Sequence, residues 1–279
     1  MDSMEIFDNA VRQNNVSAYC QLFVNTMANG LELRPRGALI KEIRDAQITL
    51  DPRWPFQGFK NRKYNLTYFK AEMRWKLGAN KYDDSIKALA KMWESVQNPD
   101  KTFNSNYGQY WFGQQMGLMK AVLELIRDKD SRRASIPMLT DAHLSPETRD
   151  TVCTEAVTLH IRGTELHMSV HMRSSDQIFG LGTDVPTFST LLMMAHGLLR
   201  ETYPSLRLGR ITITAASSHI YERHFEMVRS ILQESISDYQ HYVLPECSGT
   251  AEALALIADR FSARPQIPAS WHLYRFIHG

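Results

Sequence analysis

The alternation of apolar and polar positions changes period several times along this chain, and each change marks an element. Residues 4–29 carry apolar side chains at helical spacing and stop at Asn29-Gly30, a helix C-terminal signal. A short strand is predicted around 38–50, followed by an arginine- and proline-containing loop, DPRWPFQGFKNRK. Helical spacing returns over 66–78 (LTYFKAEMRWKLG) and 83–96 (DDSIKALAKMWESV). NPDKTFNSNYG reads as loop, and 114–128 as an amphipathic helix closed by the turn DKDSRR. From 151 to 173 the period is two. Val157, Leu159 and Ile161 alternate with Thr158 and His160, Arg162-Gly163-Thr164 offers a turn, and Leu166, Met168, Val170 and Met172 alternate with His167, Ser169 and His171 on the way back. That is a hairpin pattern. RSSDQIFGLGTD leads into a buried helix, VPTFSTLLMMAHGLL, with Pro186 in its first turn. RITITAA (210–216) predicts a strand, SSHIYERHFEMVRSILQES a helix, and AEALALIADRF another helix before a proline-containing tail. With no internal repeat and no linker, one α/β domain over 1–279 is expected.

Composition narrows the function classes. The 279 residues are 43% hydrophobic and 22% charged, enough apolar mass for a proper core. A formal net charge of +2 without a block of like charges argues against a dedicated nucleic-acid binder, while leaving room for a local anion pocket. Cys20, Cys153 and Cys247 are odd in number and far apart, with no CxxC pair, so a reducing compartment is expected rather than a zinc ribbon or redox motif. The most apolar run, LLMMAHGLL (191–199), is too short to span a bilayer, and MDSMEIFDNAVRQNN lacks a basic region followed by an apolar stretch. A soluble cytoplasmic protein, with no membrane partner, is expected.

Candidate chemistry is sparse. Cys153 precedes one strand of the hairpin and Arg173 ends the other; a guanidinium near a thiol favours the nucleophilic thiolate, but a lone cysteine equally suits a packed core. Ser131-Arg132-Arg133 and Arg173-Ser174 offer charge-assisted donors to a phosphate, or are solvated turns. Asp184, just before Val185-Pro186, suits a helix N-cap and also a carboxylate presented to a ligand. His219 and His224 lack the HExxH spacing, and no metal site is expected. Glu72 reads as an exposed helix residue, and Trp93 and Trp111 as core or half-buried aromatics.

Together AEMRW (71–75), NSNYGQYW (104–111), DSRR (130–133), VC (152–153), MRSSDQIFGLGTD (172–184) and SSHIYERH (217–224) resemble the thymidylate synthase family in order and spacing, from about Arg34 to about Arg229. Within it the likeness is closer to the phage deoxycytidylate hydroxymethylases. Thr154 stands where the synthases have histidine, and Asp184 where they have a base-reading asparagine. The N-terminal helix and the region 247–279 are not covered by the resemblance.

The resemblance implies a thymidylate synthase-like α/β (α+β) fold, a mixed sheet flanked by helices, dimerising through that sheet. It implies that Cys153 adds to C6 of dCMP, that C5 attacks the methylene of 5,10-methylenetetrahydrofolate, and that water then gives the 5-hydroxymethyl base; hydride would give methyl instead. Glu72 would organise water and move protons. Arg173 and Ser174 would hold the 5′-phosphate, Arg132 and Arg133 the phosphate of the partner subunit, and Arg34 or Arg36 a further phosphate contact. His219 and Tyr221 would meet the sugar, Tyr107 would lie near nucleophile and base, and Trp93 and Asp176 would meet the folate ring, with Asp184 reading the base. A phage origin would place the protein in the infected host's cytoplasm. The rival expectations are a dCMP methyltransferase, a dUMP hydroxymethylase or thymidylate synthase, a CMP hydroxymethylase, and a non-catalytic nucleotide- or RNA-binding relative.

Overall fold

The structure, a computed structural model, describes the backbone of residues 3–258 and 267–279, with side chains from residue 12 onward. The elements in chain order are α1 (Ser3–Asn29), β1 (Leu31–Leu33), β2 (Ile40–Leu50), α2 (Leu66–Leu77), α3 (Met92–Val96), α4 (Gly108–Trp111), α5 (Gly117–Arg127), β3 (Ser135–Pro137), β4 (Thr154–Arg162), β5 (Glu165–Asp176), α6 (Gly180–Leu199), β6 (Arg207–Tyr221), α7 (Phe225–Ile231), α8 (Thr250–Ala258) and α9 (His272–His278). The strands form one six-stranded sheet in the order β1-β2-β6-β5-β4-β3, flanked by helices, the α/β class expected from the sequence.

Several expectations need correcting. The span 83–96 is not one helix: a 3₁₀ turn at Ser85–Ala88 and the short α3 aim Ile86 and Trp93 into one small apolar cluster with Trp75 and Phe103. SSHIY is not helical but the end of β6, where β2 supplies its ladder partners from Ile40↔Tyr221 to Leu50↔Ile211. The helix after DQIF starts at Gly180, so Asp184 is not its N-cap and Pro186 lies inside it. The short strands β1 and β3 and the helix α9 carry no strong pattern and were not expected. The end of the predicted helix AEALALIADRF, residues 259–261, lies outside the described residues.

The chain divides into two compact units. One comprises residues 1–64, 171–190 and 210–244. Here α1 packs on β2 and buries Val16, Tyr19, Leu22 and Phe23, Tyr19 and Phe23 meeting Phe59, and Asn15 Nδ2 donates to the carbonyls of Asp51 (3.0 Å) and Trp54 (2.9 Å). The other comprises residues 65–170, 191–209 and 245–279. Its stretch of α6, Leu191–Leu199, is buried on every side, which is why it reads as apolar all round. Its hairpin turns at Gly163, whose φ of +59° suits a residue without a Cβ. No helix among the described residues is long and apolar enough to cross a membrane.

Candidate active site

In the second unit the residues around Cys153 are held by a network that starts in the NSNYG loop. Asp150 is buried, and its carboxylate accepts from Ser105 N (2.7 Å) and from the Ser105 hydroxyl. Asn104 Nδ2 donates to the Asp150 carbonyl (2.9 Å), while Asn98 Oδ1 accepts from the amides of Arg149 (2.9 Å) and Asp150 (3.0 Å). A loop fixed through both backbone and side chain delivers Val152 to the core, Cys153 to a half-buried position, and Thr154 to the start of β4. Thr154 Oγ1 then donates to the Tyr107 hydroxyl at 3.2 Å. The same loop thus carries both Asp150's anchor and Tyr107.

Glu72 departs from expectation most sharply. It is 6% exposed, not a solvated helix residue, and its Oε1 lies 2.7 Å from Lys76 Nζ one turn later on α2. Lys76 is 2% exposed, with Nζ 5.0 Å from the centre of the Tyr107 ring. A buried charge is tolerated when paired, so the two residues account for each other. Gly108 is required beside them, because a Cβ there would fall 1.6 Å from the Lys76 carbonyl oxygen. Glu72, Lys76, Tyr107 and Thr154 therefore form one connected set ending next to Cys153. Trp93 is 6% exposed and its indole N–H donates to the Tyr68 hydroxyl (3.1 Å), so it presents at most an edge to a ligand. Arg132 and Arg133 stand exposed on the turn before β3, which is pinned by Ser131 Oγ donating to Glu124 (2.6 Å).

The first unit gathers the other candidates. Arg173, Ser174 and Asp176 are half-buried at the end of β5. Asp176 Oδ1 accepts from Ile178 N (3.0 Å), bending the chain toward α6. Gly180 sits between two carboxylates: a Cβ there would lie 3.3 Å from Asp176 Cβ and 3.9 Å from Asp184 Oδ2. The turn is braced from below. Gln177 Nε2 donates to Thr26 (2.6 Å) and Ser218 (3.0 Å), and the buried Arg62 donates to the Ile178 carbonyl (3.2 Å). Gly182 makes room for that guanidinium, since a Cβ would come within 2.7 Å of Arg62 Nη2.

His219, near the end of β6 just before the turn into α7, is 7% exposed and stands edge-on to Tyr221, ring centres 5.0 Å apart. Burial pulls its imidazole below the usual range, against the opposing pull of Asp176 and Glu42, so the ring is neutral near pH 7. Its Nδ1 is buried without a hydrogen-bond partner among the described residues. Arg34 and Arg36 are both exposed about a 3₁₀ turn, Pro35–Gly37, with Arg36 at a left-handed φ of 52°. Lys76, Arg62, Asp150 and Glu42 escaped the sequence reading; only Lys76 left a signal, four residues after Glu72. No group of three or more metal-capable side chains occurs among the described residues.

A family model described as thymidylate synthase matches residues 17–256, most of the chain. The chain belongs to the thymidylate synthase family. With that membership comes the enzyme class, a folate-dependent one-carbon transferase acting on a pyrimidine nucleotide. Among similar proteins, the deoxycytidylate 5-hydroxymethyltransferase of Enterobacteria phage T6 is 28% identical over 173 residues, 59% of this chain and 70% of that one. The thymidylate synthase of Fusobacterium nucleatum is 29% identical over 156 residues, 54% of each chain. The deoxyuridylate hydroxymethyltransferase of Bacillus phage SP01 is 26% identical over 219 residues, 73% of this chain and 56% of that one.

Proposed function

We propose that this family member is a deoxycytidylate 5-hydroxymethyltransferase. The observation that carries the reading is Asp184, a carboxylate where the synthases carry an amide. Cytosine offers an N4 amino donor and an N3 that becomes a donor on gaining a proton. A carboxylate accepts from both and its charge favours the protonated N3, whereas uracil O4 would turn lone pairs toward it. The likeness to the T6 phage enzyme supports the same base, and Asp184 weighs against the uracil base of the SP01 relative.

In this reading Cys153 adds through sulfur to C6 of dCMP, which makes C5 nucleophilic toward the methylene carbon of 5,10-methylenetetrahydrofolate, the co-substrate. Loss of the C5 proton to a base, with its bonding pair forming C5=CH2 as tetrahydrofolate leaves with the C–N pair, gives an exocyclic methylene on the base, and water adds there. Glu72 takes the water's proton. Arg173 and Ser174, with Arg34 or Arg36, bind the 5′-phosphate, and the exposed Arg132 and Arg133 reach the phosphate held by a partner subunit. The neutral His219 meets a sugar hydroxyl, beside Tyr221. Asp176, half-buried and acceptor-only, suits the N–H groups of a pterin; Trp93 contributes an edge.

The test is to incubate the protein with methylenetetrahydrofolate and either dCMP or dUMP, and weigh the nucleotide product. A hydroxymethyl gain on dCMP, moved toward dUMP by Asp184→Asn, is expected. A methyl on dCMP overturns the water step, and product from dUMP alone overturns the role of Asp184.

A further inference from the structure

Lys76 is a buried charge for which the proposed chemistry has no use. Its position needs an explanation, because an apolar side chain of similar length would fill the same core space without desolvating an ammonium group. Two contacts of its ammonium group, and one made in turn by Tyr107, link it to the site. Nζ makes a charge-assisted hydrogen bond of 2.7 Å to Glu72 Oε1, the order Glu then Lys at i,i+4 being the favourable one on a helix. Nζ also lies 5.0 Å from the centre of the Tyr107 ring, on the attractive face of its π-system. The Tyr107 hydroxyl in turn receives Thr154 Oγ1 at 3.2 Å, one residue from Cys153.

We infer that Lys76 is a positioning residue that keeps Glu72 an ionised, proton-accepting carboxylate and holds it in place for water. The inference rests on the function proposed above and deepens it. Water adding to the exocyclic methylene forms a C–O bond and must lose a proton. The proton passes to the Glu72 carboxylate, the π pair moves into the ring, and the sulfur of Cys153 leaves C6 as thiolate while C5=C6 re-forms. A protonated Glu72 could not accept that proton. Lys76 favours its release to solvent afterwards, returning the carboxylate for the next turnover.

Other charges around α2 are committed elsewhere. On α2 itself, Arg74 donates to the Ile277 carbonyl (2.6 Å) and Lys70 lies over Phe276. From the packed elements, Lys87 pairs with Asp84, Tyr110 bonds Asn104 and His143, and Arg275 donates to the carbonyls of Ile267 and Pro268. His278 stacks on Tyr274, and the titratable Tyr107 lies against Lys76.

The test compares wild type, Lys76→Met and Lys76→Arg by two readouts. The first is the carboxyl ¹³C resonance of Glu72 against pH, assigned by its loss in Glu72→Gln. The second is the pH profile of nucleotide product formation. Lys76→Met should move the Glu72 titration up by a pH unit or more, costing about tenfold in product on the acid limb and recovering as pH rises, while Lys76→Arg stays near wild type. Superimposed Glu72 titrations in wild type and Lys76→Met overturn the inference, even where activity falls. If Lys76→Met does not fold, the wild-type resonance decides: ionised down through pH 5 supports the role, protonated at pH 7 overturns it. The resonance is read without turnover, so a protein that modifies no nucleotide would refute the proposed function while the Glu72 titration still judged Lys76.

Discussion

Asp150→Asn tests whether the anchoring of the Cys153 loop works as described. The substitution keeps shape and removes charge. Asp150 accepts two hydrogen bonds from Ser105, one from the backbone amide at 2.7 Å and one from the hydroxyl. The amide oxygen can still accept from the Ser105 N–H, and the NH2 can donate to the Ser105 hydroxyl, which rotates to accept. Two charge-assisted bonds become neutral ones in a buried site, a loss of about 1–3 kcal/mol. For a chain of this size, at about 2 °C per kcal/mol, thermal unfolding should come about 2–6 °C earlier. Because Asn98 and Asn104 still hold the backbone at Asp150, the fold should survive while turnover falls through a less constrained Cys153. Ser105→Ala, which removes only the hydroxyl, should give a smaller shift in the same direction. A melting temperature for Asp150→Asn within about 1 °C of wild type would refute the reasoning, since the charge of the carboxylate could not then be strengthening these bonds.

Two further outcomes are expected. Gly108→Ala sets a Cβ 1.6 Å from the Lys76 carbonyl oxygen and 2.7 Å from its carbon, a backbone-on-backbone overlap that no rotamer relieves. The loss should exceed the usual overpacking cost of about 1–3 kcal/mol and show as little soluble folded protein, whereas a normal yield with unchanged melting would contradict that packing. Burial lowers the imidazoles of His143, His160, His196, His219, His224 and His241 in the folded state. With unfolded values near about 6.5, the unfolded chain binds more protons below that pH, so stability is fully present above it and is lost as pH falls toward the folded values. Melting temperature should drop between pH 7.5 and 5.5; a flat or rising profile would show that these rings are not buried neutral.

The hairpin was legible because its alternation and Gly163 are local signals that burial of one sheet face enforces. Arg173 could be placed at its end for the same reason, whereas β5 runs on through Ser174 to Asp176, which read as the segment leading into α6. The end of β6 was not legible: SSHIYERH looks helical in isolation, and only its register with β2, more than 170 residues away in the case of Glu42↔His219, makes it a strand. That misreading also put His219 at a helix start. Residues 83–96 have helical spacing, yet two buried side chains, Ile86 and Trp93, break them into a turn and a short helix around one apolar cluster. Glu72 and Lys76 were opaque for a different reason. A Glu–Lys pair at i,i+4 has the same pattern on a solvated face as in a core, and only the tertiary surroundings of α2 distinguish the two.

The packing of α9 on α2 sets an order on synthesis of the protein. The carbonyl of Ile277 is the acceptor for Arg74, 203 residues earlier, and Glu252 on α8 caps the amide of Tyr274 (2.8 Å) to hold α9 in place. At translation rates of about 5–20 residues per second, roughly 10–40 seconds pass between the ribosome's making α2 and its making the helix that covers it. Throughout that interval the segment bearing Glu72 and Lys76 waits without one of its walls, exposed to chaperones and to misassociation with other nascent chains. The packing of α2 is therefore completed only after residues 272–278 have been made and have emerged from the ribosome.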